Sequence, residues 1–273
     1  MPNHVTTQIE FYGKKENINK VLELIKGEDE CIDFNKIIPM PKTLNLPAST
    51  DADVSIRYAL SKMNYGEKSA IKKALRDTSC SFYGNYYNKI FSHNPPDDFI
   101  EQRAKDFAER LKNKDISFGD TDYESLDIKT FEDLGNAYLR NILVYGYDTW
   151  YDWHCDKWGI KWNAYNSYSD KESGTMEFDT AWACPLPLLE ELGHVCDEYE
   201  VSFEGRWADE DVGNNVGTFS YNDALWDVEY AENGSNEAYE IYMEINGEND
   251  CIQKDEDGCW KFYDCDNCSN PCH

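Results

Sequence analysis

Apolar and polar residues alternate at period two in Val5-Thr6-Thr7-Gln8-Ile9-Glu10-Phe11-Tyr12-Gly13, which predicts a half-buried strand and a turn at the glycine. The spacing then becomes helical. Ile18, Val21, Leu22, Leu24 and Ile25 form one stripe, with Asn17 as the cap and Gly27 as the end. Phe34-Asn35-Lys36-Ile37-Ile38-Pro39-Met40-Pro41 reads as an extended edge or loop, because each proline excludes the helical region for the residue before it. Helical periodicity returns over residues 52–63, 68–77, 98–112 and 127–144. Beyond Trp150, aromatic and β-branched residues alternate with polar ones over 161–168, 175–182, 201–208, 216–221 and 238–245, predicting strands. A proline-started amphipathic helix over 185–199 separates two of them.

This order predicts an α+β chain: a ferredoxin-like antiparallel sheet with two covering helices, a large helical insertion and a Cys-rich C-terminal extension. The expected boundaries are 1–50 and 150–248 for the ferredoxin-like domain, 51–149 for the insertion and 249–273 for the extension.

Charge adds what periodicity cannot. Residues 1–150 hold 24 Asp/Glu and 20 Lys/Arg, a balance of -4; residues 151–273 hold 29 and 6, a balance of -23. Nucleic acid and anionic membranes are repelled by such a surface, and basic proteins are attracted. The apolar runs at 142–145 and 241–245 are far shorter than the ~20 residues that cross a bilayer. The first residues lack a basic, then apolar, secretory pattern, so the expected location is the cytoplasm. There, the ten cysteines are better read as thiols or metal ligands than as disulfides.

Five strings stand out in order along the chain: Met1-Pro2-Asn3-His4-Val5-Thr6, the Phe34 to Pro41 string above, Trp158-Gly159-Ile160-Lys161-Trp162-Asn163-Ala164-Tyr165, Phe178-Asp179-Thr180-Ala181-Trp182 with Pro185-Leu186-Pro187, and Ala208-Asp209-Glu210-Asp211-Val212-Gly213-Asn214-Asn215-Val216-Gly217. Together they resemble the YubB-like family of phage and plasmid proteins, whose members act inside a host cell. The resemblance implies a ferredoxin-like domain and an origin in a mobile element. It brings no catalytic activity, and it leaves the helical middle and the Cys-rich end unmatched.

In that end, Cys265-Asp266-Asn267-Cys268 has the knuckle spacing that grips tetrahedral zinc. Cys259 and Cys272 are the natural second pair, with His273 or Cys251 as substitutes; free thiols are the competing reading. Asp209, Glu210 and Asp211 offer oxygen ligands, but the spacing is not that of a calcium loop, and the following Gly and Asn residues suit a turn. With Trp158 and Trp162 they are candidate contact residues. Aromatic-rich strands stack bases in related folds, yet base stacking comes with basic surfaces; core packing or a protein-binding hot spot fits better. No phosphate-binding loop, dinucleotide fingerprint, nucleophile elbow or zinc-protease motif occurs, and the chain reads as a binding protein rather than an enzyme. The expected partner is a host protein complex, a DNA-binding or nuclease defence assembly, which the acidic surface would inhibit by mimicking or blocking DNA. The alternative is a self-assembling structural or accessory phage protein.

Overall fold

The computed structural model describes residues 3–80, 84–92, 95–113, 121–248 and 250–263. In chain order the elements are β1 (His4–Tyr12), α1 (Lys15–Ile25), α2 (Phe34–Ile37), a 3-10 turn (Lys42–Leu44), α3 (Asp51–Lys62), α4 (Tyr65–Asp77), β2 (Ser79–Cys80), β3 (Gly84–Asn85), α5 (Tyr86–Phe91), α6 (Asp97–Asn113), α7 (Phe131–Tyr145), α8 (Trp150–Lys157), β4 (Tyr165–Asp170), β5 (Thr175–Ala181), α9 (Leu186–Asp197), β6 (Ser202–Asp209), β7 (Gly217–Asn222), β8 (Leu225–Tyr230), α10 (Asn236–Asn246), β9 (Ile252–Lys254) and β10 (Trp260–Phe262). They form two compact units, Met1–Pro39 with Lys157–His273, and Met40–Asp156. The sequence pattern predicts these divisions at 50/51 and 149/150.

The first unit is built on a six-stranded sheet in the order β4-β5-β1-β6-β7-β8, antiparallel at every step. The four strands β4-β5-β1-β6 interleave two split β-α-β units, β1-α1-β4 and β5-α9-β6, which is the ferredoxin-like arrangement. Strand alternation gives each residue its face. Val5, Ile9 and Phe11 of β1, Met176 and Phe178 of β5, and Phe203 and Trp207 of β6 are buried with Ile18, Val21, Leu22 and Ile25 of α1 and Leu188, Leu189 and Leu192 of α9. On α9, Gly193 lies against the Tyr221 ring of β7, where an added Cβ would stand 2.0 Å from the ring. The opposite face is open except at one end, where Ala208 packs against Ala238, Ile241 and Tyr242 of α10.

The structure departs from the periodicity at several places. Residues 238–245 form part of α10, not a strand. Ser235 Oγ accepts from the Ala238 amide at 3.1 Å, Gly247 closes the helix at φ 84°, and Ala238, Ile241 and Tyr242 form a 3.6-period stripe that outweighs the strand preference of the aromatics. Residues 225–230 form an edge strand, β8, joined through Asp223 and Ala224 at φ 50° and 61°, a two-residue hairpin turn without glycine. Phe34–Ile37 is a helical turn capped by Asp33; the prolines constrain only Ile38 and Met40. Asn17 lies inside α1 and its side chain donates to the Tyr199 carbonyl at 2.7 Å instead of capping.

The second unit is helical around buried Ile56, Leu60, Phe107, Phe131, Leu134 and Tyr138. α3 and α7 touch at Gly135, where a Cβ would meet the Ser55 carbonyl oxygen at 2.1 Å. Thr130 and Asp133 form a reciprocal capping box at the start of α7, and left-handed Gly146 ends it.

Candidate functional site

The open sheet face is acidic by the same alternation that makes the other face apolar. Register places Tyr168, Glu177, Gln8, Arg206, Thr218 and Glu229 in one row across β4 to β8. Thr175, Glu10, Glu204, Ser220 and Asp227 form the next row. These rows floor a groove of about 640 Å3 to which α10 adds Glu244. Six carboxylates therefore line it, against the single guanidinium of Arg206, which pairs with Glu244.

Two details sharpen the electrostatics. Glu10 and Glu204 stand directly opposite each other on β1 and β6, a like-charge pairing that costs stability. Gln8 Nε2 donates to Glu177 at 2.7 Å, and the Tyr12 hydroxyl donates to Glu204 at 2.5 Å. That hydrogen bond, with burial and the Glu204 charge, pushes the Tyr12 hydroxyl far above its usual pKa, so it remains a donor.

At the end of β5 the exposed rings of Trp162 and Trp182 pack against each other with centroids 5.0 Å apart and their planes tilted by 32°. Trp182 has φ 70°, a left-handed conformation that costs a non-glycine residue roughly 1–2 kcal/mol. A clamp holds it there. The Trp182 amide donates to the Asn3 carbonyl at 2.9 Å, and Asn215 Nδ2 donates to the Trp182 carbonyl at 3.1 Å. Buried Asp209 ties the clamp together by accepting from Asn3 Nδ2, Asn215 Nδ2 and the Asp211 amide at 2.9–3.1 Å.

The candidate contact residues thus separate. Trp162 is on the surface, as are Glu210 and Asp211 in the turn where Gly213 and Asn215 have φ 72° and 49°. Asp209 is a buried organiser of that turn. Trp158 is 1% exposed, its Nε1 donating to the Ile38 carbonyl at 3.0 Å and its ring edge-on to Phe34, so it belongs to the core. Of the candidate zinc ligands, Cys259 is described and carries a free thiol just before β10; Cys265, Cys268, Cys272 and His273 lie outside the described residues. The substitute ligand Cys251 is in a disulfide, unlike the free thiols expected of these cysteines. Among the described residues no group of three or more His, Cys, Asp or Glu is placed to hold a metal, and no helix is long and apolar enough to cross a membrane.

Residues 157–255 match the family model described as "Ferredoxin-like domain in Api92-like protein". The matched stretch runs from the end of α8 through β9, and the description agrees with the sheet order above. No curated protein matches the chain. Among solved structures it is similar to api92 from Yersinia pseudotuberculosis, with 15% identity, 85% of this chain and 99% of that chain covered, and a TM-score of 0.40.

The second unit has its own ionic cluster. Lys89 Nζ lies 2.9 Å from Asp148 Oδ2 and 3.2 Å from Asp152 Oδ2, with both carboxylates buried. Asp148 and Asp152 share a helical spacing that could have been noticed, but no sequence signal joins them to Lys89.

Proposed function

We propose that the ferredoxin-like unit is a protein-binding module whose acidic open sheet face occupies a basic, nucleic-acid-binding surface on a partner. The observation that carries this reading is the Glu10 and Glu204 pair, set side by side where either alone would favour the fold more. Six strands span ~24 Å across the hydrogen-bonding direction. That length of duplex DNA carries ~14 phosphates, about half turned to one side, a density comparable with six carboxylates in the groove. A nuclease must neutralise the phosphates of its DNA with Lys and Arg, so an inhibitor that blocks or mimics DNA on a nuclease-type defence assembly is the functional reading these features support best.

Stability and binding should move in opposite directions when the pair is relieved. Glu10→Gln is expected to raise unfolding stability by roughly 0.2–1 kcal/mol, while weakening binding to an arginine-glycine repeat peptide and flattening its salt dependence. Urea melts and binding titrations at several salt concentrations provide the readout, with Glu16→Gln on α1 as the control. Unchanged binding by Glu10→Gln would remove the support for this face.

A further inference from the structure

We propose that Trp162 and Trp182 form a platform that reads an arginine side chain of the partner. The inference rests on the reading of this unit as a receptor for a basic surface and adds the chemistry of its anchor. Three observations converge on it.

First, the platform is constructed at a cost. Backbone strain of the kind seen at Trp182 persists only where surrounding contacts over-determine it, and it concentrates at functional positions. The Asn3, Asp209 and Asn215 clamp supplies those contacts, drawn from the N-terminal segment, the end of β6 and the turn before β7. A tryptophan needed only for packing would have its ring inside. Trp182 instead leaves 47% of its surface in solvent and Trp162 leaves 40%.

Second, the rings already hold a cation. Lys161 Nζ lies 4.4 Å from the Trp162 ring centroid and 5.9 Å from that of Trp182. A positive group is therefore received by both rings from a shared approach, as the quadrupole of an indole favours.

Third, the surroundings select the kind of cation. Glu210 and Asp211 are exposed on the turn that Asp209 organises, and the Glu210 amide donates to the His4 carbonyl at 2.8 Å, which ties this turn to the segment holding Trp182. A guanidinium lies flat on an indole while its edge donates two parallel hydrogen bonds to a carboxylate; an ammonium is a compact, strongly hydrated charge that does neither as well. An incoming arginine displaces Lys161 and gains the carboxylates of Glu210 and Asp211 at its edge.

The test uses the full chain and two peptides of equal length and charge, one an arginine-glycine repeat and the other a lysine-glycine repeat, followed by fluorescence anisotropy. The wild-type chain is expected to bind the arginine peptide about fivefold more tightly. That ratio should fall to about one in Trp162→Ala and in Trp182→Gly, the second of which also relaxes the backbone and so keeps the fold, while affinity for the lysine peptide stays within about twofold. Glu10→Gln should weaken both peptides and keep the ratio. A wild-type ratio near one, or a preference for arginine that survives in both tryptophan variants, overturns the platform and leaves the acidic face standing. If neither peptide binds, the acidic-face reading fails and the platform falls with it.

Discussion

Replacing Lys89 with methionine should destabilise the helical unit by about 3–5 kcal/mol, because it leaves two buried carboxylates without their cation. Lys89 Nζ lies between Asp148 and Asp152, whose side chains are each 4% exposed. Desolvation pulls the Lys89 pKa down, but the nearby carboxylates, Asp148 foremost, outweigh it and the net shift is upward. A cation whose folded pKa is raised contributes fully at neutral pH and loses its contribution only as pH climbs through that folded value, here in strong alkali. Burial is the largest influence on Asp148 and raises its pKa despite Lys89, so ionising this carboxyl opposes folding as pH rises past the usual carboxylate range. Without Lys89, which holds the Asp148 pKa down against burial, Asp148 keeps its proton more readily. The deficit of the variant should therefore shrink between pH 7 and pH 4. Hydrogen exchange of the α3 and α7 amides under urea reports this unit specifically, and Lys89→Met within about 1 kcal/mol of wild type at pH 7 would contradict the account.

The second large effect is expected at Gly193. A methyl group there would stand 2.0 Å from Cδ2 and 2.3 Å from Cε2 of Tyr221. The ring has little room to yield: its hydroxyl donates to Asp197 at 2.7 Å and lies 3.0 Å from His194 Nδ1, and its face stacks on Phe203 with centroids 5.8 Å apart. Overpacking of this kind costs about 3 kcal/mol, offset by about 1 kcal/mol from the better helix propensity of alanine. Gly193→Ala should thus lose about 2 kcal/mol in urea unfolding. In a Tyr221→Ala background the same change should cost nothing, a non-additivity that locates the clash. A stabilising Gly193→Ala would show that α9 moves away from β7 at no expense.

Much of the ferredoxin-like unit was legible in sequence because its strands have one buried and one open face. Val5, Ile9 and Phe11 alternate with Thr6, Gln8 and Glu10, and β5, β6 and β7 repeat the pattern. The proline-led run from Leu186 carried α9 in the same way. Where two local tendencies competed, periodicity alone was insufficient. In α10, aromatic and isoleucine residues suggested a strand, whereas the Ser235 cap and the spacing of Ala238, Ile241 and Tyr242 decided for a helix. β8 was missed because its turn uses Asp223 and Ala224 rather than glycine.

The site divides on the same principle. Once strands are assigned, alternation tells that Glu10, Glu177 and Glu204 avoid the core, but their gathering into two rows depends on a strand order in which β1 lies between β5 and β6. Trp182 gives no local signal of its conformation, since the groups that impose it come from Asn3, Asp209 and Asn215. Acidic composition was visible; the geometry that turns it into a surface was not.

Site-resolved carbodiimide labelling of carboxylates, with and without the arginine-glycine peptide, separates this surface from the charge of the whole chain. Binding through the open face should protect Glu10, Glu177, Glu204, Asp227 and Glu229 well beyond exposed Glu16, Glu67 and Glu198 elsewhere. Equal protection at all eight would show that the peptide follows net charge alone and would contradict a dedicated acidic face.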